Sequence, residues 1–267
     1  MCGIFSYIGP NQNSVALTIE GLKKLEYRGY DSWGIAYKQT TTGAVEIYRQ
    51  VGKISEVPNN LMDNSISSNI TMGHSRWATH GGVNEANAHP HFSNDKMFTI
   101  VHNGIFENYD TVKKELESKG YNFRSSTDTE VAAYLIEDFY KSEKNVLKAI
   151  QKALQKLEGR YAILVLNNYD NTLIAARHGS PLIIGSGTNE YFIASDVPAF
   201  LKYTNKVLYL DDNQIVQISY ENHSANINFY DTLTLTSIDK RIVEVNITES
   251  EAEKGDFPHF MIKEIMD

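Results

Sequence analysis

The apolar pattern changes period at Gly159, and that change limits the possible fold more than any other feature. Before it, Val146, Ile150, Leu154 and Leu157 recur at helical spacing, with Gly159 as the stop. After it come short period-two segments at 160–167, 172–178, 182–185, 190–195, 206–210, 214–220 and 225–230, with turns at 168–171 and 185–189. Strands so closely spaced suggest antiparallel sheets, whose faces long helices have to cover.

The first half supplies those helices. One is expected over 14–27, where Val15, Ile19, Leu22 and Leu25 share a face, and another from Asn108 or Asp110 to Gly120. Thr127-Asp128-Thr129-Glu130 reads as a capping box that opens a third helix through Val131, Leu135 and Phe139. Strands are expected at 2–8, 34–38, 45–50 and 97–102, with a hairpin connection at 40–43. Residues 52–72 read as polar and irregular, apart from one short helix. The stretch 73–108, dense in Gly, His, Asn, Arg and Trp, reads as loops, where binding residues tend to lie.

The net charge of −8 argues against nucleic acid and anionic membrane surfaces as partners. No apolar run reaches the ~18 residues of a membrane span. The opening MCGIFSYIGP has no basic region, so no signal peptide is expected, and a cytoplasmic location is. Cys2, the only cysteine among 267 residues, cannot build a disulfide framework. With Met1 removed it would carry a thiol and a free α-amine on one residue, and the amine can then serve as the base that activates the thiol.

Six segments occur in one order: Cys2-Gly3-Ile4, Tyr27-Arg28-Gly29-Tyr30-Asp31-Ser32, 73–81 (GHSRWATHG), Asn87-Ala88-His89-Pro90-His91, His102-Asn103-Gly104-Ile105 and 127–131 (TDTEV). Together they resemble the class II glutamine amidotransferase domain, an N-terminal-nucleophile hydrolase. Within that family the resemblance is strongest to the glutaminase domain of glucosamine-6-phosphate synthases. Ala194-Ser195-Asp196 and 253–264 extend it toward the end of the sequence. The resemblance implies an α+β fold, a four-layer αββα sandwich of two antiparallel sheets. It also implies hydrolysis of the L-glutamine side-chain amide through a γ-glutamyl thioester on Cys2.

The same resemblance assigns roles. Asn103 and Gly104 are the expected oxyanion hole, Asn103 through its side-chain NH₂ and Gly104 through its backbone N–H, where a side chain would obstruct approach to the ligand. Taken alone, Asn-Gly would instead read as a hairpin turn. Arg76 is expected on the substrate α-carboxylate, for which a planar fork is the natural partner. Asp128 is expected on the α-ammonium, a role that helix capping does not exclude. Thr79 and His80 are expected to line the site. Arg28 would help fix the nucleophile's loop, and Trp77 would gate the route of ammonia. No cofactor is implied. His74, His80, His89, His91 and His102 fall close together, but without a metal-ligand spacing, and the resemblance assigns them to loops and pocket wall.

Residues 1–248 are expected to be the glutaminase domain, and 249–267 a linker toward sugar-phosphate isomerase domains that would receive the ammonia. Trp33 stands where the family usually has a small residue, and Phe5-Ser6 replaces a valine-glycine pair, so the pocket shape could differ. Two rival readings are the glutaminase domain of another class II enzyme, such as amidophosphoribosyltransferase or asparagine synthetase, and a non-catalytic glutamine-binding module. The 76–81 segment and the tail argue against the first, and Cys2, Asn103 and Asp128 together argue against the second.

Overall fold

A computed structural model describes residues 2–62 and 65–246. β1 (Gly3–Ile8) leads into α1 (Ser14–Lys24). β2 (Ser32–Gln39) and β3 (Val45–Val51) make the expected hairpin, and β4 (Ser68–Arg76) returns beside β2. β5 (His91–Phe92) and β6 (Phe98–Phe106) precede α2 (Tyr109–Ser118), α3 (Asp128–Glu143) and α4 (Val146–Lys156). The strand-rich remainder is β7 (Gly159–Asn167), β8 (Thr172–His178), β9 (Ile183–Ser186), β10 (Tyr191–Ala194), β11 (Lys206–Tyr209), β12 (Gln214–Glu221), β13 (Ser224–Asp231), β14 (Ser237–Ile238) and β15 (Val243–Glu244).

Two sheets result, with strand orders β15-β11-β9-β10-β1-β4-β2-β3 and β14-β13-β12-β8-β7-β6-β5. Neighbouring strands pair antiparallel throughout. Alternation along each strand sorts the side chains. Ile4 and Ile8 of β1 pack between the sheets with Val101 of β6 and Leu164 of β7, whereas Phe5 and Tyr7 face outward with Ile19 and Leu22 of α1. On the outer face of the second sheet, Ile100 and Ile163 pack with Val131, Leu135 and Ile150 of α3 and α4. The layers are therefore helix, sheet, sheet and helix, the expected α+β sandwich.

The structure corrects three local expectations. Residues 68–76 are a strand flanked on both sides, not irregular chain and loop. β6 runs through Asn103-Gly104, paired with Ala162 and Tyr161, so that pair is not a turn. The helix expected over 14–27 ends as an α-helix at Lys24 and closes with a 3₁₀ turn over Glu26–Arg28. The linker expected at 249–267 lies outside the described residues. Among the described residues no helix is long and apolar enough to cross a membrane.

Candidate active site

Cys2 immediately precedes β1, at one end of the gap between the sheets. Antiparallel pairing sets Gly3 opposite Ser75 on β4, and Phe5 opposite Ala194 on β10. Glycine is required twice for the approach. A Cβ on Gly3 would lie 2.6 Å from Ser75 Oγ, and one on Gly29 would lie 2.7 Å from the Arg76 carbonyl carbon. The Cys2 sulfur accepts the Trp77 backbone N–H at 3.2 Å and lies 3.4 Å from the Trp77 carbonyl. Arg28 Nε donates to Cys2 O at 3.1 Å, and its Nη1 lies 3.8 Å from Asp196 Oδ2, so Arg28 ties the Cys2 backbone to the segment after β10. Asp31 accepts the Ala78 N–H at 2.8 Å and fixes the chain beyond Trp77.

Burial pushes the Cys2 thiol up from its ordinary value of 9.0, against the lowering influence of the Trp77 N–H and the Arg76 and Arg28 charges. The resting sulfur is therefore a thiol at neutral pH, and a base has to take its proton.

A small pocket opens beside the sulfur, lined by Cys2, Arg76, Trp77, Thr79, His80, Gly104 and Asp128 among others. Six of the expected site residues and the expected gate thus share one cavity, although the chain separates them by up to 126 positions, from Cys2 to Asp128. Neither Phe5, Ser6 nor Trp33 is on its wall. Phe5 packs outward against Gly21 of α1, and Trp33 is buried against Tyr48. Phe5 and Trp33 belong to the outer core, and none of the three departures borders the pocket.

Arg76 is buried, unlike an arginine in a surface ion pair. Its guanidinium donates to the carbonyls of His80, Gly81 (3.3 Å) and Gly82 (3.2 Å), bracing the 80–82 loop. Asp128 is the first residue of α3, capped by Thr127, and its Oδ2 accepts the Phe106 N–H at 2.9 Å. The capping box is half formed. The Thr127 hydroxyl accepts from the Glu130 N–H, but the Glu130 carboxylate turns to the N–H groups of Arg124 and Ser125. Trp77 is exposed at the pocket rim, edge-on to Tyr30 at 5.5 Å, and His80 stands against Tyr109 at 4.4 Å.

Gly104 is needed for a reason other than room for a ligand. Its φ of +128° is a glycine conformation, and a Cβ there would lie 2.0 Å from Arg160 O on β7. Asn103, on the gap-facing side of β6, donates its side-chain NH₂ to Cys2 O at 3.1 Å and to Ser195 Oγ at 2.9 Å. Ser195, which follows β10, also accepts the Ile4 N–H at 2.9 Å.

The histidines sit on strands as well as loops. His74 is on β4, His91 on β5 and His102 on β6, and with His89 they are buried. His89 and His102 share the Thr129 hydroxyl at 2.7 and 3.1 Å, and His91 meets the Thr127 hydroxyl at 3.1 Å. Burial lowers all four; His74 and His91 fall to about 3. Among the described residues no group of three His, Cys, Asp or Glu side chains is arranged to hold a metal. Sequence reasoning did not single out Ser195 or Asp31, although both lie in segments that carry the resemblance, and it left His74 in a loop.

The glutamine amidotransferase domain family matches residues 74–202. A glutamine–fructose-6-phosphate aminotransferase (isomerizing) of Thermus thermophilus is 42% identical over 99% of this chain and 42% of its own length. That of Pyrococcus horikoshii is 45% identical over 100% of this chain and 44% of its own. The chain thus spans less than half the length of these relatives. Among solved structures, the glutamine phosphoribosylpyrophosphate amidotransferase of B. subtilis, complexed with ADP and GMP, superimposes with a TM-score of 0.71 at 26% identity, over 85% of this chain and 48% of that one. Matching fold, matching sequence along nearly its whole length and the pocket around Cys2 lead to one conclusion: the chain belongs to the class II glutamine amidotransferase family and carries its N-terminal-nucleophile domain.

Proposed function

We propose that this domain hydrolyses L-glutamine to glutamate and ammonia, with Cys2 as nucleophile once Met1 has been removed. The observation that carries the proposal is the single pocket in which Cys2 faces Arg76 and Asp128. One fixed cation and one anion lining the same pocket suit the α-carboxylate and α-ammonium of a single amino acid. The side-chain amide is then left to the sulfur.

The base implied by the family resemblance is the α-amine of Cys2 itself, which sits on the same residue as the thiol. His89 and His102 are held neutral, with proton affinities pushed below the ordinary histidine value, so they are poor acceptors at neutral pH. Asp128 is engaged with Phe106 N–H and the substrate ammonium. The α-amine of Cys2 has a reference pKa of about 8. It takes the thiol proton as the sulfur bonds to the amide carbon, and it returns that proton to nitrogen as the C–N bond breaks and ammonia leaves. Water then attacks the γ-glutamyl thioester, giving glutamate and restoring the thiol. The developing oxyanion meets the Gly104 N–H and the Asn103 NH₂. Both protons of that NH₂ rest on protein acceptors, so the substrate oxygen has to replace one of them.

Ammonia passes to a partner domain. The relatives' name, glutamine–fructose-6-phosphate aminotransferase (isomerizing), supports a sugar-phosphate isomerase unit joined through 249–267 as that partner, with fructose-6-phosphate as acceptor. Trp77 gates the transfer and Thr79 and His80 complete the glutamine-binding wall, a reading supported by their shared place around the pocket. The location that fits this biosynthetic role is the cytoplasm.

Asp128→Asn and Arg76→Lys test the substrate assignment. Each is expected to raise the glutamine KM by about tenfold or more, the cost of one charged contact. Iodoacetamide should still alkylate Cys2 in both. Unchanged KM values would remove the amino-acid end from this pocket.

A further inference from the structure

An oxyanion hole that uses an asparagine has a specific weakness. The side-chain amide can rotate by 180° and present oxygen where an N–H donor is needed. Two backbone carbonyls, which can only accept, decide the orientation in this structure. At the far end, Cys2 O lies 3.1 Å from the Asn103 amide, so the atom there is the NH₂. At the near end, His74 Nε2 lies 3.0 Å from His102 O and therefore carries the proton. The same N–H then reaches Asn103 Oδ1 at 2.9 Å, a contact that a flipped amide would turn into donor against donor.

From this geometry we infer that His74 is a positioning residue. Its Nε2–H locks the Asn103 amide with oxygen toward β4 and NH₂ toward the nucleophile. The inference rests on the glutaminase reading of the site. His74 is fully buried, stacks on His89 with ring centroids 4.2 Å apart, and has no hydrogen-bond partner at Nδ1 among the described residues. The Nε2 proton is shared between His102 O and Asn103 Oδ1. Burial also keeps the ring neutral to about pH 3, so the lock does not titrate in the working range. His74 does not line the glutamine pocket; its hydrogen bond reaches the site through Asn103, while its ring also backs His89 of the pocket wall.

The test is a double-mutant cycle with a rescue. His74→Leu removes the donor, whereas His74→Gln keeps an N–H near the Nε2 position. With Asn103 present, H74L is expected to lower kcat by about 10²–10³, the effect of losing one oxyanion donor. The glutamine KM should stay within about threefold, as befits an interaction made only in the transition state. H74Q should recover at least about tenfold of the loss. In an Asn103→Ala background, H74L should change kcat by no more than about twofold, because its route of action is gone. Equal losses in H74L and H74Q, or a full further loss in the Asn103→Ala background, would overturn the inference.

A second measurement does not depend on turnover or on a variant folding. ¹⁵N NMR of the wild-type His74 ring should show Nε2 protonated and Nδ1 bare, and the opposite tautomer would refute the lock. A wild-type protein without Cys2-dependent turnover would sink the glutaminase reading instead, while the tautomer would still judge the lock.

Discussion

At the scale of single residues, the site depends on how closely backbones can approach. Gly104 shows it most directly, because both its φ of +128° and the 2.0 Å approach to Arg160 O exclude a side chain. Gly104→Ala is expected to cost roughly 3 kcal/mol or more, since backbone would have to move on both β6 and β7. Urea unfolding measures this, and a loss below about 1 kcal/mol would mean that the strands give way easily. Sequence reasoning identified this glycine by its approach to a ligand and did not see its approach to Arg160 O. Steric exclusion by a strand 56 positions away, Gly104 against Arg160, leaves no local signal. The same holds for the amide clamp of His74, Asn103 and Ser195, whose members meet only after two sheets have stacked.

At the scale of elements, α3 sets the position of Asp128. Thr127 caps it, and the same hydroxyl meets His91 of β5, so one side chain joins helix start, strand and pocket wall. Thr127→Ala is expected to destabilise the fold by about 1–2 kcal/mol, a typical cap loss with one buried partner stranded. It should also raise the glutamine KM, because Asp128 is the next residue. Retained stability together with an unchanged KM would show that Asp128 is fixed by Phe106 alone. This cap was legible, since Thr-Asp-Thr-Glu before an apolar run is a local pattern. β8 and β12 were equally legible from period two. β4 was not, because His74 and Arg76 occupy its gap-facing positions, Gly73 and Ser75 its other face, and all are buried. Their polar groups are satisfied by partners from other strands and loops, and a hydrophobicity pattern does not register that.

At the scale of the whole molecule, the buried histidines couple stability to pH. In the unfolded chain each takes up a proton near its ordinary value of 6.5, whereas folded His74 and His91 do so only at about 3, and His89 well below its ordinary value. Unfolded chains therefore bind more protons below pH 6.5. Stability is complete above that value and falls as pH drops toward the folded values. Each such histidine contributes a slope of about 1.4 kcal/mol per pH unit, so the three together give roughly 4. The urea midpoint should be flat from pH 8 to 7 and fall steeply from 6.5 to 5. Carboxylates with lowered values, such as Glu115 and Asp212, start to add only below their ordinary values of 4.5 and 3.8. A midpoint unchanged down to pH 5 would contradict the neutral, buried state of the cluster.

The two sheets, the helices that cover them and the pocket beside Cys2 are the frame of the proposal, in which Met1 is removed and the Cys2 sulfur attacks an amide. The most direct test is glutamate release from L-glutamine by the purified protein, with its N-terminal mass determined on the same sample and Cys2→Ala run beside it. The expected result is turnover that requires Cys2, a mass lacking Met1, and a γ-glutamyl adduct trapped on the Cys2 peptide by acid quench. Turnover that survives Cys2→Ala, or none from a protein whose Cys2 amine is free, would contradict the account.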